Sequence, residues 1–91
     1  MLNAAEAEIV SLSSAAQECL FLRKLCIEMG FHLHRPTIIY EDCEVAVALS
    51  KETRFRKRSK HIALRWHFIA ERQHPQVADL NVRNKQILKC F

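Results

Sequence analysis

The stretch PTIIYEDCEVAVALSKETRFRKRSKHIALRWHF (residues 36–68) dictates most of the expected architecture, because it holds the clearest strand pattern of the chain and two helical patterns. After Pro36, the run TIIY is β-branched and aromatic, which is typical of a buried strand. We therefore expect a strand over residues 37–41. Glu41 and Asp42 lie at its carboxyl end, where ligands and catalytic groups collect in sheets whose strands are each followed by a helix.

Three helices are expected around this strand. The longest follows from apolar residues that recur every three or four positions over residues 4–29, with Gly30 placed to end the helix. A short helix over residues 44–50 begins after Asp42, whose carboxylate is a helix cap, a metal ligand or both. A third helix, over residues 60–71, has an apolar face of its own. The chain is thus predicted to be mostly helical, with one short central strand.

The composition indicates one small folded domain. The 91 residues are 49% hydrophobic and include one glycine and two prolines, which does not suit a linker or a disordered segment. No apolar run approaches the roughly 20 residues of a membrane span, and the N-terminal segment lacks the features of a secretory signal. The four cysteines follow no recognised zinc or disulfide spacing. We therefore expect an intracellular protein without membrane association.

Most of the net charge of +4 comes from one short segment. The first 50 residues carry a net charge of −4, whereas residues 51–60 (KETRFRKRSK) carry +5. Such a run is either a solvated charged loop or a patch that binds an anionic polymer such as nucleic acid. Contacts of this kind reach phosphate groups, carry little sequence information and weaken steeply with salt. The side chains assigned to such a patch are Arg54, Arg56, Lys57, Arg58 and Lys60.

Three stretches in order resemble the RNase H segment near the end of copia-type retrotransposon polyproteins. They are AEAEIVSLSSAAQECLFLRKLCIEMGF (residues 5–31), PTIIYEDCEVAVALSKETRFRKRSKHI (36–62) and ALRWHFIAE (63–71). The series AEAE, YED, KRSKHI and WHFI is specific, although no single piece of it would be. The resemblance implies an α/β chain with an RNase H-like fold.

The resemblance also implies a set of catalytic carboxylates. In RNase H domains a glutamate near the start of the first helix binds metal, and the matching residue is Glu8. Asp42 matches the aspartate at the strand end, and Asp79 resembles the last catalytic carboxylate. Glu8 and Asp42 would hold Mg²⁺ or Mn²⁺, which prefer oxygen ligands. In this family such ions serve the hydrolysis of the RNA strand of RNA–DNA hybrids.

Departures from the family weaken the expected activity. The three-stranded N-terminal hairpin of RNase H domains, which supplies a central catalytic aspartate, has no counterpart in this sequence. The resemblance ends after Glu71, so we expect a truncated RNase H-like domain over residues 1–72 and a divergent tail over residues 73–91. Because two or three carboxylates hold two metal ions poorly, the isolated chain is expected to be inactive, and it need not bind a metal.

Two other functions stay open on the sequence alone. One is a non-catalytic, sequence-independent nucleic-acid-binding protein that uses residues 51–60 to hold an RNA–DNA hybrid or another nucleic acid. The other is a relic of a transposon reading frame without a selected function. A nucleic-acid-binding protein must fold by itself, whereas a relic need not, so a test of folding distinguishes the two. The expected protein partner is the remainder of a Pol polyprotein.

Overall fold

The computed structural model describes residues 4–51 and 60–84. Its helices and strands are α1 (Ala4–Glu28), β1 (Thr37–Glu41), α2 (Glu44–Ser50), α3 (Lys60–Gln73) and β2 (Leu80–Asn84). The first strand and the three helices expected from the sequence are confirmed, and each of their ends lies within two residues of the expectation. None of the described helices combines the length and the apolar content that a membrane span requires.

The second strand was not expected, and the expectation of a single strand was wrong. β1 and β2 are parallel and pair residue by residue, from Thr37 opposite Leu80 to Glu41 opposite Asn84. β2 lies in the part of the chain that the family resemblance does not cover. Its sequence LNVRN buries Leu80 and Val82. Two apolar residues are too short a pattern to predict a strand. Pairing with β1 satisfies the backbone N–H and C=O groups of each strand that face the other.

The helices cover one face of this strand pair and bury a small apolar core. Six side chains with at most 2% of their surface exposed form its centre: Ile9, Leu12, Ala46, Ile62, Ile69 and Val82. All three helices and β2 contribute, so the segment that forms β2 shares its core with the rest of the chain. Fully burying a valine, leucine or isoleucine side chain stabilises the fold by about 1.5–3 kcal/mol relative to leaving it exposed. The opposite face of β1 carries Ile38 and Tyr40, which are exposed.

Gln73, the last residue of α3, joins three elements through its side-chain amide. Its Nε2 donates to the carbonyl oxygen of Ser50 at 3.0 Å, and its Oε1 accepts from the backbone N–H of Val82 at 3.0 Å. Two turns earlier on α3, the indole N–H of Trp66 donates to the carbonyl oxygen of Leu49. These bonds fix the carboxyl end of α2 against α3 and β2, and they leave the amino end of α2 beside the end of β1.

The cap of α1 is the one that the sequence predicts. Gly30 has a φ of +97°, the left-handed conformation that glycine adopts without strain. Its N–H donates to the carbonyl oxygen of Ile27 at 3.0 Å, and the N–H of Phe31 donates to that of Cys26 at 3.0 Å. This pair of bonds is a Schellman cap, and it turns the chain back towards β1.

Only the first half of α1 is covered by the described residues. Ile9, Leu12 and Ala16 are buried, whereas Leu22 and Met29, further along the same apolar pattern, are 55% and 66% exposed. The amino-terminal half of α1 is therefore the part that is anchored to the core, and it is the part that carries Glu8.

Candidate functional site

Three carboxylates converge at the carboxyl end of β1. Glu8 extends from the second turn of α1, Glu41 is the last residue of β1, and Asp42 follows it. Each offers a carboxylate oxygen, and these three oxygens lie within 4.8 Å of one another. Glu8 reaches this position because its neighbour Ile9 is buried in the core, which holds the start of α1 against the strand. The structure thus brings Glu8 and Asp42 together, as the family resemblance implies, and adds Glu41.

The three side chains differ in their exposure to solvent. Glu41 keeps only 8% of its surface exposed, Glu8 is half-buried and Asp42 is exposed. Glu41 is in phase with Ile39 on the strand, and Ile39 packs against the core, so both side chains point to the helix-covered face. The cluster therefore runs from a buried carboxylate to one that faces water.

The turn after β1 is held by Glu41 and not by a cap from Asp42. The backbone N–H of Cys43 donates to Oε1 of Glu41 at 3.1 Å. Cys43 itself is the N-cap of α2, and no side chain makes a capping bond there. The expectation that Asp42 caps this helix was wrong, because the preceding carboxylate occupies the turn. The other role that the sequence left open for Asp42, that of a metal ligand, stays a prediction.

The pKa of Glu41 is raised from its ordinary value of 4.5 to about 7. Burial is the largest cause, since it disfavours the charged form, and the hydrogen bond from the Cys43 N–H opposes it. Hydrogen bonds with Glu8 and Asp42, and then the negative charge of Glu8, raise the pKa further. Near neutral pH Glu41 is therefore partly protonated. A cation bound to the cluster would favour the charged form of Glu41 and lower its pKa.

The donor set suits a hard divalent cation. All three candidate donor atoms are carboxylate oxygens, which Mg²⁺ and Mn²⁺ prefer over nitrogen or sulfur. Like charges held this close require either a shared proton or a cation between them. The buried position of Glu41 and the exposed position of Asp42 would let a cation contact the protein on one side and keep waters on the other, as Mg²⁺ usually does. The residues present thus fit the ion that the resemblance to RNase H segments implies.

Asp79 lies elsewhere. It directly precedes β2, its carbonyl oxygen accepts from the N–H of Thr37 at 3.0 Å, and its Oδ2 lies 3.3 Å from Nη1 of Arg72. Because the strands are parallel, Asp79 is at their amino end and Asp42 is at their carboxyl end. Four residue steps along a strand separate the two ends by about 13 Å. The structure therefore does not bring Asp79 together with Glu8 and Asp42, and it gives Asp79 an ion pair with Arg72.

Two residues at the carboxyl end of the sheet escaped the sequence reasoning. In the sequence Glu41 is one of an acidic pair, and no family motif marks it as a ligand, although its phase with Ile39 indicates burial. Asn84 could not be placed without β2. It pairs opposite Glu41, and its Nδ2 donates to Oε1 of Glu44 at 3.5 Å.

The basic patch expected from the sequence lies almost wholly outside the described residues. This applies to Arg54, Arg56, Lys57 and Arg58, and to the side chain of Lys60, which begins α3. The assignment of these residues to nucleic-acid binding stays a prediction.

The chain is similar to retrovirus-related Pol polyproteins of plant transposons. It is 33% identical over 70 residues, or 77% of its length, to the Pol polyprotein from transposon TNT 1-94 of Nicotiana tabacum. It is 37% identical over 67 residues, or 74% of its length, to those from transposons RE1 and RE2 of Arabidopsis thaliana. The chain spans about 5% of the length of these relatives. Its homologues are therefore retrotransposon polyproteins, and it corresponds to a small part of one.

Neither of the two other comparisons adds a function. No family model matches the chain, and no solved structure matches it. The identity of the matching part of the polyprotein as an RNase H segment is therefore an expectation from the sequence motifs.

Proposed function

We propose that the chain is part of a divalent-metal-dependent ribonuclease H domain of a retrotransposon Pol polyprotein, and that Glu8, Glu41 and Asp42 form its metal site. The observation that carries this proposal is the convergence of the three carboxylates at the carboxyl end of β1. The polyprotein homologues support the origin, and the motif series supports the class of enzyme. The proposed activity is hydrolysis of the RNA strand of RNA–DNA hybrids.

Each carboxylate has a distinct part in this proposal. A bound Mg²⁺ or Mn²⁺ supplies activation of a water molecule and stabilisation of the leaving oxygen. Glu41, buried and hydrogen-bonded by the Cys43 N–H, gives up its proton and then holds its oxygens in a fixed direction. Glu8 contributes a ligand from a rigid helix. Asp42, which faces solvent, is the ligand beside which a phosphate group of the substrate can approach.

The isolated chain is proposed to be inactive. A two-metal site uses more protein oxygens than three carboxylates that lie within one 4.8 Å cluster can offer, since each Mg²⁺ needs near-octahedral coordination. Within residues 4–51 and 60–84, Asp79 is too far along the strands to join the cluster. A further carboxylate from the remainder of the Pol polyprotein would complete the site.

A second candidate function is sequence-independent binding of nucleic acid through residues 51–60. The net charge of +5 within ten residues supports it. This function needs no metal, so it predicts hybrid binding that persists in EDTA and falls steeply as salt is raised. Binding that is insensitive to salt would contradict it.

Metal binding tests the main proposal directly. We expect Mn²⁺, titrated at pH 8 and followed by its paramagnetic resonance signal, to bind the chain, and we expect Asp42→Asn and Glu8→Gln to weaken binding about tenfold or more. Glu28→Gln is the matched control, because it removes the same charge from an exposed position at the other end of α1. Equal affinities in Asp42→Asn, Glu8→Gln and the control would refute the site, as would absence of binding to the folded chain.

The activity is tested separately with a labelled RNA–DNA hybrid. The isolated chain with Mn²⁺ should leave the hybrid intact, whereas a longer polyprotein that contains this chain should cleave it and should lose cleavage on Asp42→Asn. Cleavage by the longer protein that survives this substitution would show that Asp42 is not in the active site.

A further inference from the structure

A polar cleft lies between α1 and α3. Ser13, Ser14 and Gln17 line it from α1, and His61 and Arg65 line it from α3. Its volume is about 370 Å³, which is ample for a phosphate group with its hydration water. Apart from two apolar side chains on α3, the residues around this cleft are hydrogen-bond donors or can become donors.

Arg65 is positioned across this cleft by two hydrogen bonds. Its Nη1 donates to Oγ of Ser13 at 2.9 Å, and its Nε donates to Nε2 of His61 at 3.1 Å. Ser13 is buried and donates in turn to the carbonyl oxygen of Val10 at 2.9 Å, so the guanidinium is tied to a fixed part of α1. Because Nε2 of His61 accepts, its ring carries a proton on Nδ1 when neutral.

The guanidinium of Arg65 has donors to spare. A guanidinium has five N–H donors, and the two bonds to Ser13 and His61 use two of them. Within the described part of the chain, no ion pair joins Arg65 to Asp or Glu, whereas Arg72 on the same helix has Asp79 as its partner. Arg65 therefore brings an uncompensated positive charge and a planar fork of donors into a polar cleft. This combination suits an oxyanion.

The cleft is separate from the carboxylate cluster. Gln17 follows Glu8 by nine residues, which is two and a half helical turns, so the two side chains project from opposite sides of α1. An anion in the cleft is thus shielded from the carboxylates by the helix. In the sequence, the basic run 51–60 ends at the residue directly before His61.

We propose that the cleft formed by Ser13, Ser14, Gln17, His61 and Arg65 is a subsite for a phosphate oxyanion. Arg65 would bind two oxygens of the phosphate, and the Ser14 hydroxyl and Gln17 amide would donate to the others. The phosphate belongs either to a nucleic-acid backbone or to free inorganic phosphate. The assignment to a backbone rests on the proposed function in nucleic-acid chemistry, whereas oxyanion binding itself does not.

The test is a titration of the ¹⁵N-labelled chain with inorganic phosphate in EDTA, followed by the NMR signals of the arginine side chains. We expect saturable shifts at Arg65, and about a tenfold or greater loss of phosphate affinity in Arg65→Gln. Arg35→Gln is the matched control, because Arg35 is exposed in the connector before β1 and only its backbone carbonyl makes a described bond. Arg65→Lys keeps the charge but loses the planar fork, and it should also bind more weakly than the control.

Since Arg65 also joins the two helices, a variant that keeps this bridge is needed. Ser14→Asp places a negative charge in the cleft from an exposed position and leaves the bonds of Arg65 in place. It should abolish phosphate binding and leave thermal unfolding almost unchanged. Equal phosphate affinity in Ser14→Asp, Arg65→Gln and the control would overturn the subsite, and so would absence of phosphate binding by the folded chain.

A competition arm identifies the source of the phosphate. A short single-stranded oligodeoxynucleotide that displaces phosphate and shifts the Arg65 signals identifies a nucleic-acid backbone. An oligonucleotide that leaves both unchanged identifies free phosphate. Because EDTA is present throughout, the result is independent of the Mn²⁺ titration, and failure of the metal site would leave it untouched.

Discussion

Replacement of Glu41 by glutamine should make the chain more stable at neutral and alkaline pH. Glutamine has the shape of the protonated glutamate, and its amide oxygen can still accept the N–H of Cys43. The substitution removes only the charge that burial disfavours. A charged carboxylate that is buried in a candidate active site lowers the stability of the fold. Its removal is therefore expected to raise the stability.

The magnitude follows from the pKa of Glu41, which is about 7 in the folded chain against an ordinary value of 4.5. Below pH 4.5 Glu41 is protonated in both states, and the advantage of the protonated folded form is complete. As the pH rises towards 7, the unfolded chain loses its proton first, so the free energy of unfolding falls, and above 7 the loss is complete. The difference between these two pKa values corresponds to a fall of about 3 kcal/mol in the free energy of unfolding. The Glu41→Gln chain should not show this fall.

Urea unfolding followed by circular dichroism at pH 4, 6 and 8 measures this difference. The two proteins should have similar stability at pH 4, and the Glu41→Gln chain should be more stable by about 2–3 kcal/mol at pH 8, which corresponds to about 10–20 °C in melting temperature. The other ionisable side chains are the same in both proteins, so their contributions cancel in the comparison. Glu28→Gln, at an exposed position of α1, should follow the parent chain. Parallel stability curves for parent and Glu41→Gln across this range would refute the argument that burial perturbs Glu41.

Three further substitutions test how the scaffold is held, and thermal unfolding measures each. Gly30→Ala should cost about 1–2 kcal/mol, because a φ of +97° strains any side chain, and an unchanged melt would mean that the cap does not form. Gln73→Ala should cost about 1–3 kcal/mol by leaving buried partners on α2 and β2 without their bonds, whereas the exposed Gln76→Ala should be neutral. Ile62→Ala should cost about 2–5 kcal/mol, because its side chain is 1% exposed, and Leu64→Ala, 65% exposed on the same helix, should cost far less; equal losses would contradict the packing of α3.

The elements with strong local patterns could be predicted from the sequence. α1 has a long three-and-four periodicity and a glycine at its end, and β1 has four β-branched or aromatic residues in a row after Pro36. Their bounds therefore agree with the structure closely. The approach of Glu8 to Asp42 also followed, but from the family motif and not from any pattern within the chain.

β2 and the position of Asp79 could not be predicted, for one shared reason. LNVRN has only two apolar residues, so its strand character depends on pairing with β1, and pairing is a tertiary fact. Without β2, the triplet Val77-Ala78-Asp79 resembles the family segment that carries the last catalytic carboxylate. With β2 present, Asp79 is fixed at the amino end of the sheet and paired with Arg72. The position of Asp79 is determined by the register of β2 against β1, and similarity over three residues is too short to predict it.

Glu41 differs from Asp79, because the sequence itself indicates that its side chain is buried. Side chains alternate along a strand, so a strand over 37–41 that buries Ile39 must turn Glu41 to the same face. A lone carboxylate is almost never fully buried in an apolar face unless it is neutral, paired or bound to a metal. Among the described residues, the ionisable groups beside Glu41 are two more carboxylates, Glu8 and Asp42. They can share a proton with Glu41, but they cannot neutralise its negative charge. The alternation of the strand therefore already implied a perturbed acid at this position, and the proton or cation that compensates it is what the Glu41→Gln and Mn²⁺ experiments distinguish.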